Sequence, residues 1–212
     1  MFKRSIQIKA KKYNNLCRYK SKQYGINEEL AIRKGENGNM AIRKIRGEGE
    51  EILSKKSREV ELESIKEEKI QELIDDMLET MYKANGVGLA AVQVGILKQI
   101  VVIDVDEECN NPIVLINPKI VKEKGTQEVE EGCLSFPNKF AKVVRPAEVV
   151  VEALDRNGNK IKIKAKELLA QAISHEYDHL NGIVFVDKIV PGTLEVVKPN
   201  DSVSNQNMKK KE

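Results

Sequence analysis

The sequence predicts an α+β fold, with mixed or antiparallel β-sheets packed around a central helix that bears an HExxH motif and a further helix N-terminal to it. Three observations carry this. Apolar residues recur at three- and four-residue steps over 70–81 and again over 168–180, the period of helices that bury one face. Between these stretches the period shortens to β-branched runs bounded by Asn, Gly and Pro, which marks strands and turns. The resulting order, one helix, several strands, one helix, is that of an α+β domain.

The chain of 212 residues is 41% hydrophobic and 33% charged, enough for one core with appendages. No run of about 18 apolar residues is present, so nothing reads as a membrane span. The N-terminal MFKRSIQIKAKKYNN lacks the apolar stretch of a secretory signal, and the expectation is a cytoplasmic protein. Its three cysteines, Cys17, Cys109 and Cys133, do not suggest a disulfide framework in a chain of this size.

The net charge of +3 is unevenly spread. Residues 1–39 hold ten Lys/Arg against three Glu, which leaves 26 basic against 30 acidic residues on the rest. This segment shows no sustained period and reads as a basic extension, solvated and disordered or not native to the protein. A basic arm touching RNA or an acidic surface is the competing reading. Few serines and more Lys than Arg speak against a transit peptide. After Gly35, Asn37, Gly38 and Asn39, the stretch MAIRKIRGEG at Met40 resembles a fresh start. The expected organisation is an extension over 1–39, the functional domain over 40–190 and a polar tail over 191–212.

Ser64 and Glu67 form a capping-box pattern, which predicts a helix opening there. Ile70, Leu73, Ile74, Met77, Leu78 and Met81 give it one apolar stripe over about 20 residues, and Asn85-Gly86 ends it. Strands are predicted at Ile100–Val105 and Ile113–Ile116, then over Val143–Leu154 and Lys160–Ala165 around the turn Asp155-Arg156-Asn157-Gly158-Asn159. In the last of these, Ile161 and Ile163 alternate with lysines, as in a strand with one wet face. The second helix is predicted over Glu167–Leu180, with Leu168, Leu169, Ala172, Ile173, Tyr177 and Leu180 on its apolar side. Asn181-Gly182 closes it, Ile183–Val186 reads as a final strand, and beyond Pro191 the chain is expected to fray.

That second helix carries both histidines of the chain, His175 and His179, in HEYDHLNG. Positions i and i+4 share a helix face, so the two imidazoles can bind one metal ion, and Glu176 between them can handle a proton. A catalytic metal site usually takes three protein ligands and keeps one position for water. No third histidine exists, and the downstream glutamates, Glu195 and Glu212, lie in the polar tail. Cysteine is the better choice, and Cys133, in EGCLSFPN beside Gly132, is the best placed. Taken alone, Cys133 also reads as a small buried hydrophobe. A further segment, GVGLAAVQVG over 86–95, has small residues around a single polar side chain, Gln93. That amide is either a satisfied core group or a donor aimed at a reacting oxygen. The segment lacks the spacing of a phosphate-binding glycine loop.

GVGLAAVQVG, EGCLSFPN and HEYDHLNG, in this order, resemble the peptide deformylase family, whose marks are GxGLAAxQxG, EGCLS and HExDHLxG. The resemblance covers about Met40 to Ile189. It implies a metal-dependent hydrolase that removes the N-formyl group from the initiator methionine of nascent polypeptides and releases formate. It further implies one divalent ion held by Cys133, His175 and His179, with Fe(2+) the usual metal and Zn(2+), Ni(2+) or Co(2+) as substitutes. Glu176 then serves as general base and acid. The Gln93 amide and the Leu134 backbone N–H match the family's donors to the oxyanion. Val87, Gly88 and Gly132 match positions that hold the substrate backbone in a strand-like manner, and Ala172 matches part of the pocket for the methionine side chain. The family also pairs the glutamate of EGCLS with a downstream arginine, here Glu131 with Arg145. The implied partners are N-formylmethionyl nascent peptides and, transiently, the ribosome; no membrane and no specific nucleic-acid site is expected.

The chain departs from the family's pattern at Val92, where proline or threonine is common, and Phe136 is a common variant. Well-known members carry a basic C-terminal helix that meets the ribosome, whereas PGTLEVVKPNDSVSNQNMKKKE shows no helical stripe. Two other readings compete: a metallopeptidase that cleaves internal bonds, and a non-catalytic metal-binding or ribosome-associated protein. Cys133 speaks against the first, and the intact Glu176 and Gln93 against the second.

Overall fold

The computed structural model describes residues 41–106 and 108–197. The expected extension over 1–39, the start at Met40 and the end of the tail beyond Val197 lie outside the described residues. Helix α1 spans Glu68–Lys83 and buries Ile70, Leu73, Ile74, Met77, Leu78 and Met81, the stripe read from the sequence. Each such side chain contributes about 1.5–3 kcal/mol on leaving water. The helix starts later than the Ser64–Glu67 pattern predicts and is 16 residues long. Leu62–Ser64 form a 3-10 turn, and fully buried Ile65 follows it. Glu67 takes the N-cap position without a side-chain cap bond. Asn85, at φ 63°, ends α1 in the left-handed conformation.

Two sheets follow. The larger contains β1 (Gly88–Ala90), β2 (Ile100–Ile103), β3 (Ile113–Lys124), β6 (Glu148–Leu154) and β7 (Lys160–Lys166), in the spatial order β1-β2-β3-β6-β7. The smaller contains β4 (Gln127–Cys133), β5 (Phe136–Arg145) and β8 (Glu195–Val196), in the order β4-β5-β8. Every pairing between these strands is antiparallel. The run predicted as one strand over Val143–Leu154 is two, broken at Pro146-Ala147, because proline has no N–H for the ladder. The turn over 155–159 forms as expected: the Asp155 carboxylate accepts the Asn157 and Asn159 N–H groups, both at 2.8 Å. The strand expected at Ile183–Val186 is instead a 3-10 turn over Phe185–Lys188. Phe185 is buried there, edge-on to Phe136 at 5.6 Å between ring centroids, and this aromatic anchor replaces strand pairing. Beyond Pro191 the chain does not simply fray, since β8 pairs with β5 at Lys139 and Phe140.

Helix α2 spans Glu167–Leu180, as predicted. The larger sheet separates the two helices. On one face Ile100, Val102, Val114 and Ile116 pack against α1. On the other, Val101, Ile103, Leu115, Val149, Val151 and Ala153 pack against Ala170, Ala172, Ile173 and Leu180 of α2. The alternation of faces along each strand is the period-two geometry of the pleat. The other side of α2 meets the smaller sheet through the Arg145–Asp178 and Cys133–His179 contacts. This makes α2 the central element and brings the C-terminal end of β4 to its histidines. Among the described residues, no helix is long and apolar enough to cross a membrane.

Candidate metal centre and active site

Cys133 closes β4, one residue before the two-residue turn Leu134-Ser135 that leads into β5. This hairpin carries its thiol to α2, where Sγ lies 3.2 Å from His179 Nε2. The two histidines stand one helical turn apart, with ring centroids 5.0 Å apart. His175 Nδ1 lies 2.9 Å from Glu131 Oε2, so Nε2 is the atom left to face the thiol. One donor atom from each of Cys133, His175 and His179 lies within 4.8 Å of the others. Ligands on bonds of 2.0–2.3 Å around a tetrahedral ion lie about 3.5 Å apart, so the spacing suits a divalent cation.

The electrostatics fit the same group. Burial disfavours charge on His175, yet hydrogen bonds to Cys133 and Glu131 and the charge of Glu176 outweigh it, and its pKa is held well above the ordinary value. Burial, helped by the charge on His175, pushes His179 well below. His179 is thus held neutral, the state in which an imidazole binds a metal. His179 Nδ1 is buried with no hydrogen-bond partner.

Glu131 organises the ligands. Burial alone would raise its pKa, but hydrogen bonds donated by Arg145 and His175 bring it down to about 2. The expected pairing with Arg145 is present and bidentate, at 2.7 and 2.8 Å. The same carboxylate fixes the orientation of His175, the arrangement that sets the tautomer of a metal-binding imidazole. Arg145 also donates to Asp178, and Asp178 accepts Lys188 Nζ at 2.7 Å. A run of alternating charges thus leads from Lys188 at the surface to His175. The sequence pointed to Glu131 and Arg145; Asp178 and Lys188 it did not, although Asp178 stands inside HEYDHLNG.

Glu176 lies on the β1 side of α2. A Cβ on Gly88 would come within 2.5 Å of its Oε1, so the missing side chain of Gly88 makes room for this carboxylate. Burial pushes the Glu176 pKa up to about 7, against the pull of His175, and Oε2 has no hydrogen-bond partner. An acid near neutrality with a free oxygen is suited to taking and returning a proton.

Gln93 sits in a 3-10 turn over Ala91–Val94 and is 1% exposed. Its Oε1 accepts the Ala90 N–H at 2.8 Å, which directs the NH2 end at Ser135 Oγ, 3.2 Å away, and Cys133 Sγ, 3.5 Å away. Ser135, fully buried, is a third residue that the sequence did not point to; its place in EGCLS was the available signal. Leu134 lies in the turn between β4 and β5, so its N–H stands outside the strand ladder.

Of the remaining site candidates, Val87 is half-buried and its carbonyl accepts the Asp104 N–H at 2.9 Å. Gly132 lies under the Phe140 ring, which a Cβ would meet at 2.8 Å. Gly88 and Gly132 belong to β1 and β4, which are end strands of the two sheets. Ala172 is 5% exposed and sits in the core cluster that Val87 packs against. Cys109 lies at φ 54° between β2 and β3, and Cys17 lies outside the described residues.

A family model described as polypeptide deformylase matches residues 42–194. A peptide deformylase of Acetivibrio thermocellus is 56% identical over 151 residues, which cover 71% of this chain and 85% of that protein. A solved structure of a peptide deformylase from Legionella pneumophila shares 46% identity at a TM-score of 0.68, covering 71% of this chain and 88% of that one. A peptide deformylase from Synechococcus elongatus, solved in complex with actinonin, shares 42% identity at a TM-score of 0.68, covering 71% and 82%.

Proposed function

This chain belongs to the peptide deformylase family, a family of metal-dependent enzymes, and on that premise we propose which of its residues carry out the reaction. The enzyme removes the N-formyl group from the initiator methionine of nascent polypeptides and releases formate. The observation that carries the assignment is the convergence of Cys133, His175 and His179 beside an unpartnered Glu176 oxygen. Cys133 Sγ and the two histidine Nε2 atoms hold the metal, oriented from behind by Glu131 and Arg145. The thiolate with two imidazoles suits Fe(2+), with Zn(2+), Ni(2+) or Co(2+) as replacements. When bound, the ion supplies Lewis acidity, which makes water a nucleophile near neutral pH.

Glu176 takes the proton of the attacking water and passes it to the leaving amine. Its raised pKa suits both steps, since the same group must accept and donate near pH 7. The NH2 group of Gln93, fixed by the Ala90 N–H, and the Leu134 N–H donate to the oxygen of the formyl group as charge develops there. Val87, Gly88 and Gly132 hold the peptide as an added strand between the end strands β1 and β4, and Ala172 contributes to the surface that receives the methionine side chain. The actinonin bound by the Synechococcus elongatus relative supports a ligand-accepting site of this kind here. A substrate met during synthesis supports work in the cytoplasm and transient association with the ribosome.

The test is formate release from a short formyl-Met peptide by anaerobically purified, metal-loaded protein, with metal analysis of the same sample. Release with about one metal per chain is the expected result. Metal binding without formate release would refute the residue assignment.

A further inference from the structure

One face of the larger sheet is covered by α1 only in part. Ile100, Val102, Val114 and Ile116 lie under the helix, and Leu154 of β6 packs at the margin of that cluster. Strand pairing continues this face beyond the helix, because directly paired residues project to the same side. Ile116 pairs with Leu154, and Leu154 with Lys160. The next rows are Lys119–Glu152–Lys162, Lys122–Val150–Lys164 and Lys124–Glu148–Lys166. The opposite face of β6 and β7 carries Val149, Val151, Ala153 and Ala165 against α2, so these rows face away from the active-site helix. Seven lysines, all exposed, share the uncovered face with two glutamates.

Three of the lysines have carboxylate partners: Lys162 with Glu152, Lys166 with Glu148, and Lys119 with Glu59 at 3.8 Å. Lys122, Lys124, Lys160 and Lys164 have none among the described residues. Protection against edge-to-edge pairing accounts for charge on β7, an end strand. It accounts equally for charge on Lys119, Lys122 and Lys124, because β2 pairs only with Ile113–Ile116 and leaves that half of β3 an open edge. It does not set the sign of the charge, since glutamate protects an edge as well, and here lysines outnumber glutamates seven to two.

We propose that this lysine-lined face of β3, β6 and β7 is a docking surface for the phosphodiester backbone of RNA. Lysines repeat two residues apart along β7, about 6.6 Å, and three more stand on β3 across β6, an extended excess of positive charge that matches a charged polymer. The apolar members of the face are Val150 and Leu154 in the middle of the rows, with exposed Val121 at the β3 bulge beside them, and it has no aromatic residue with which to enter a membrane interface. The neighbouring α1 presents Glu68, Glu72, Asp75 and Glu79 at its exposed or half-exposed positions, which repels a polyanion and confines it to the sheet. The face turns away from α2, so RNA held there leaves the site between β1 and β4 open. The choice of RNA over other polyanions rests on the function proposed above, because an enzyme acting on nascent chains works beside RNA.

The test compares the full chain with a K122A/K124A/K160A/K164A variant, read by fluorescence anisotropy of a labelled RNA oligonucleotide over a salt series. None of these lysines belongs to the catalytic machinery, so formate release from a short formyl-Met peptide should be equal in the two proteins. That readout separates failure of this surface from failure of the functional assignment. The expected result is RNA affinity lower by at least about tenfold at 0.1 M salt in the variant. The slope of log K against log salt should shrink by about 3, from roughly 0.7–0.9 per lost phosphate contact. Unchanged RNA affinity would place any binding on the basic residues outside this face and overturn the proposal. No RNA binding by either protein, or binding of both only to anionic vesicles, would overturn it as well.

Discussion

The two helices pack against opposite faces of one sheet, yet they bury different chemistry. Helix α1 buries six large apolar side chains and only two polar ones, Asp76 and Thr80. Both of these are answered by the incoming chain: Asp76 accepts the Ala41 N–H and Arg43 Nε, and Thr80 accepts the Arg43 N–H. Helix α2 buries Ser174, His175, Glu176, Asp178 and His179 along with its apolar side. Two of its buried polar atoms, Glu176 Oε2 and His179 Nδ1, have no partner. An unsatisfied buried polar group typically costs about 1–3 kcal/mol. Helix α1 is therefore built for stability, while α2 gives some stability up for poised groups.

Substitutions can break this contrast. The largest effect is expected for Glu176→Ala. Turnover should fall by about 10²–10⁴, the usual contribution of a general base, with metal content unchanged by elemental analysis. Unchanged formate release would remove Glu176 from its role. Next comes Arg145→Ala, which leaves Glu131 buried without its cation and Asp178 with Lys188 alone. Breaking a buried pair in this way costs about 3–5 kcal/mol, and urea denaturation should show it together with weakened metal retention. Ile74→Ala in α1 is the control for the contrast. It should cost about 2–5 kcal/mol of stability while formate release per folded molecule stays within about twofold. A large loss of turnover in the folded variant would show that α1 does more than pack.

A smaller effect tests the contact of α1 with Asp104, a buried carboxylate just past the end of β2. Burial raises the Asp104 pKa above its ordinary value, while the Tyr82 hydroxyl, 2.7 Å away, and the Asp106 N–H pull it back. Tyr82→Phe removes one of those donors and raises the folded-state pKa further. A raised folded-state carboxyl loses stability as pH climbs above its unfolded value. The loss in the variant should therefore be about 1–3 kcal/mol at pH 7 and vanish below about pH 4, close to the ordinary aspartate value. Denaturation midpoints at the two pH values check it, and a loss independent of pH would count against the carboxylate as its source.

The contrast also separates what was legible in the sequence from what was not. Both helices were legible, because their apolar positions lie on one stripe each, and so was HEYDHLNG, because i and i+4 share a face. Cys133 emerged by pursuing the missing third ligand. The start of α1 was misplaced because Ser64 and Glu67 have the right identities for a capping box, whereas burial of Ile65 sets the turn that precedes the helix. The full length of β3 was hidden because its second half turns three lysines and Glu123 to solvent and shows no apolar period. The link of Glu131 to His175, and of Asp178 to Arg145 and Lys188, was illegible because it joins β4, β5, α2 and the turn after α2. No local pattern encodes such a meeting.

The central claim is that α2 and the end of β4 jointly hold one metal ion. X-ray absorption at the metal edge of the zinc-loaded protein tests it most directly. The expected shell has one sulfur at about 2.3 Å and two imidazole nitrogens at about 2.0–2.1 Å, with the sulfur lost in Cys133→Ala. A shell of nitrogen and oxygen alone in the unaltered protein would contradict the account.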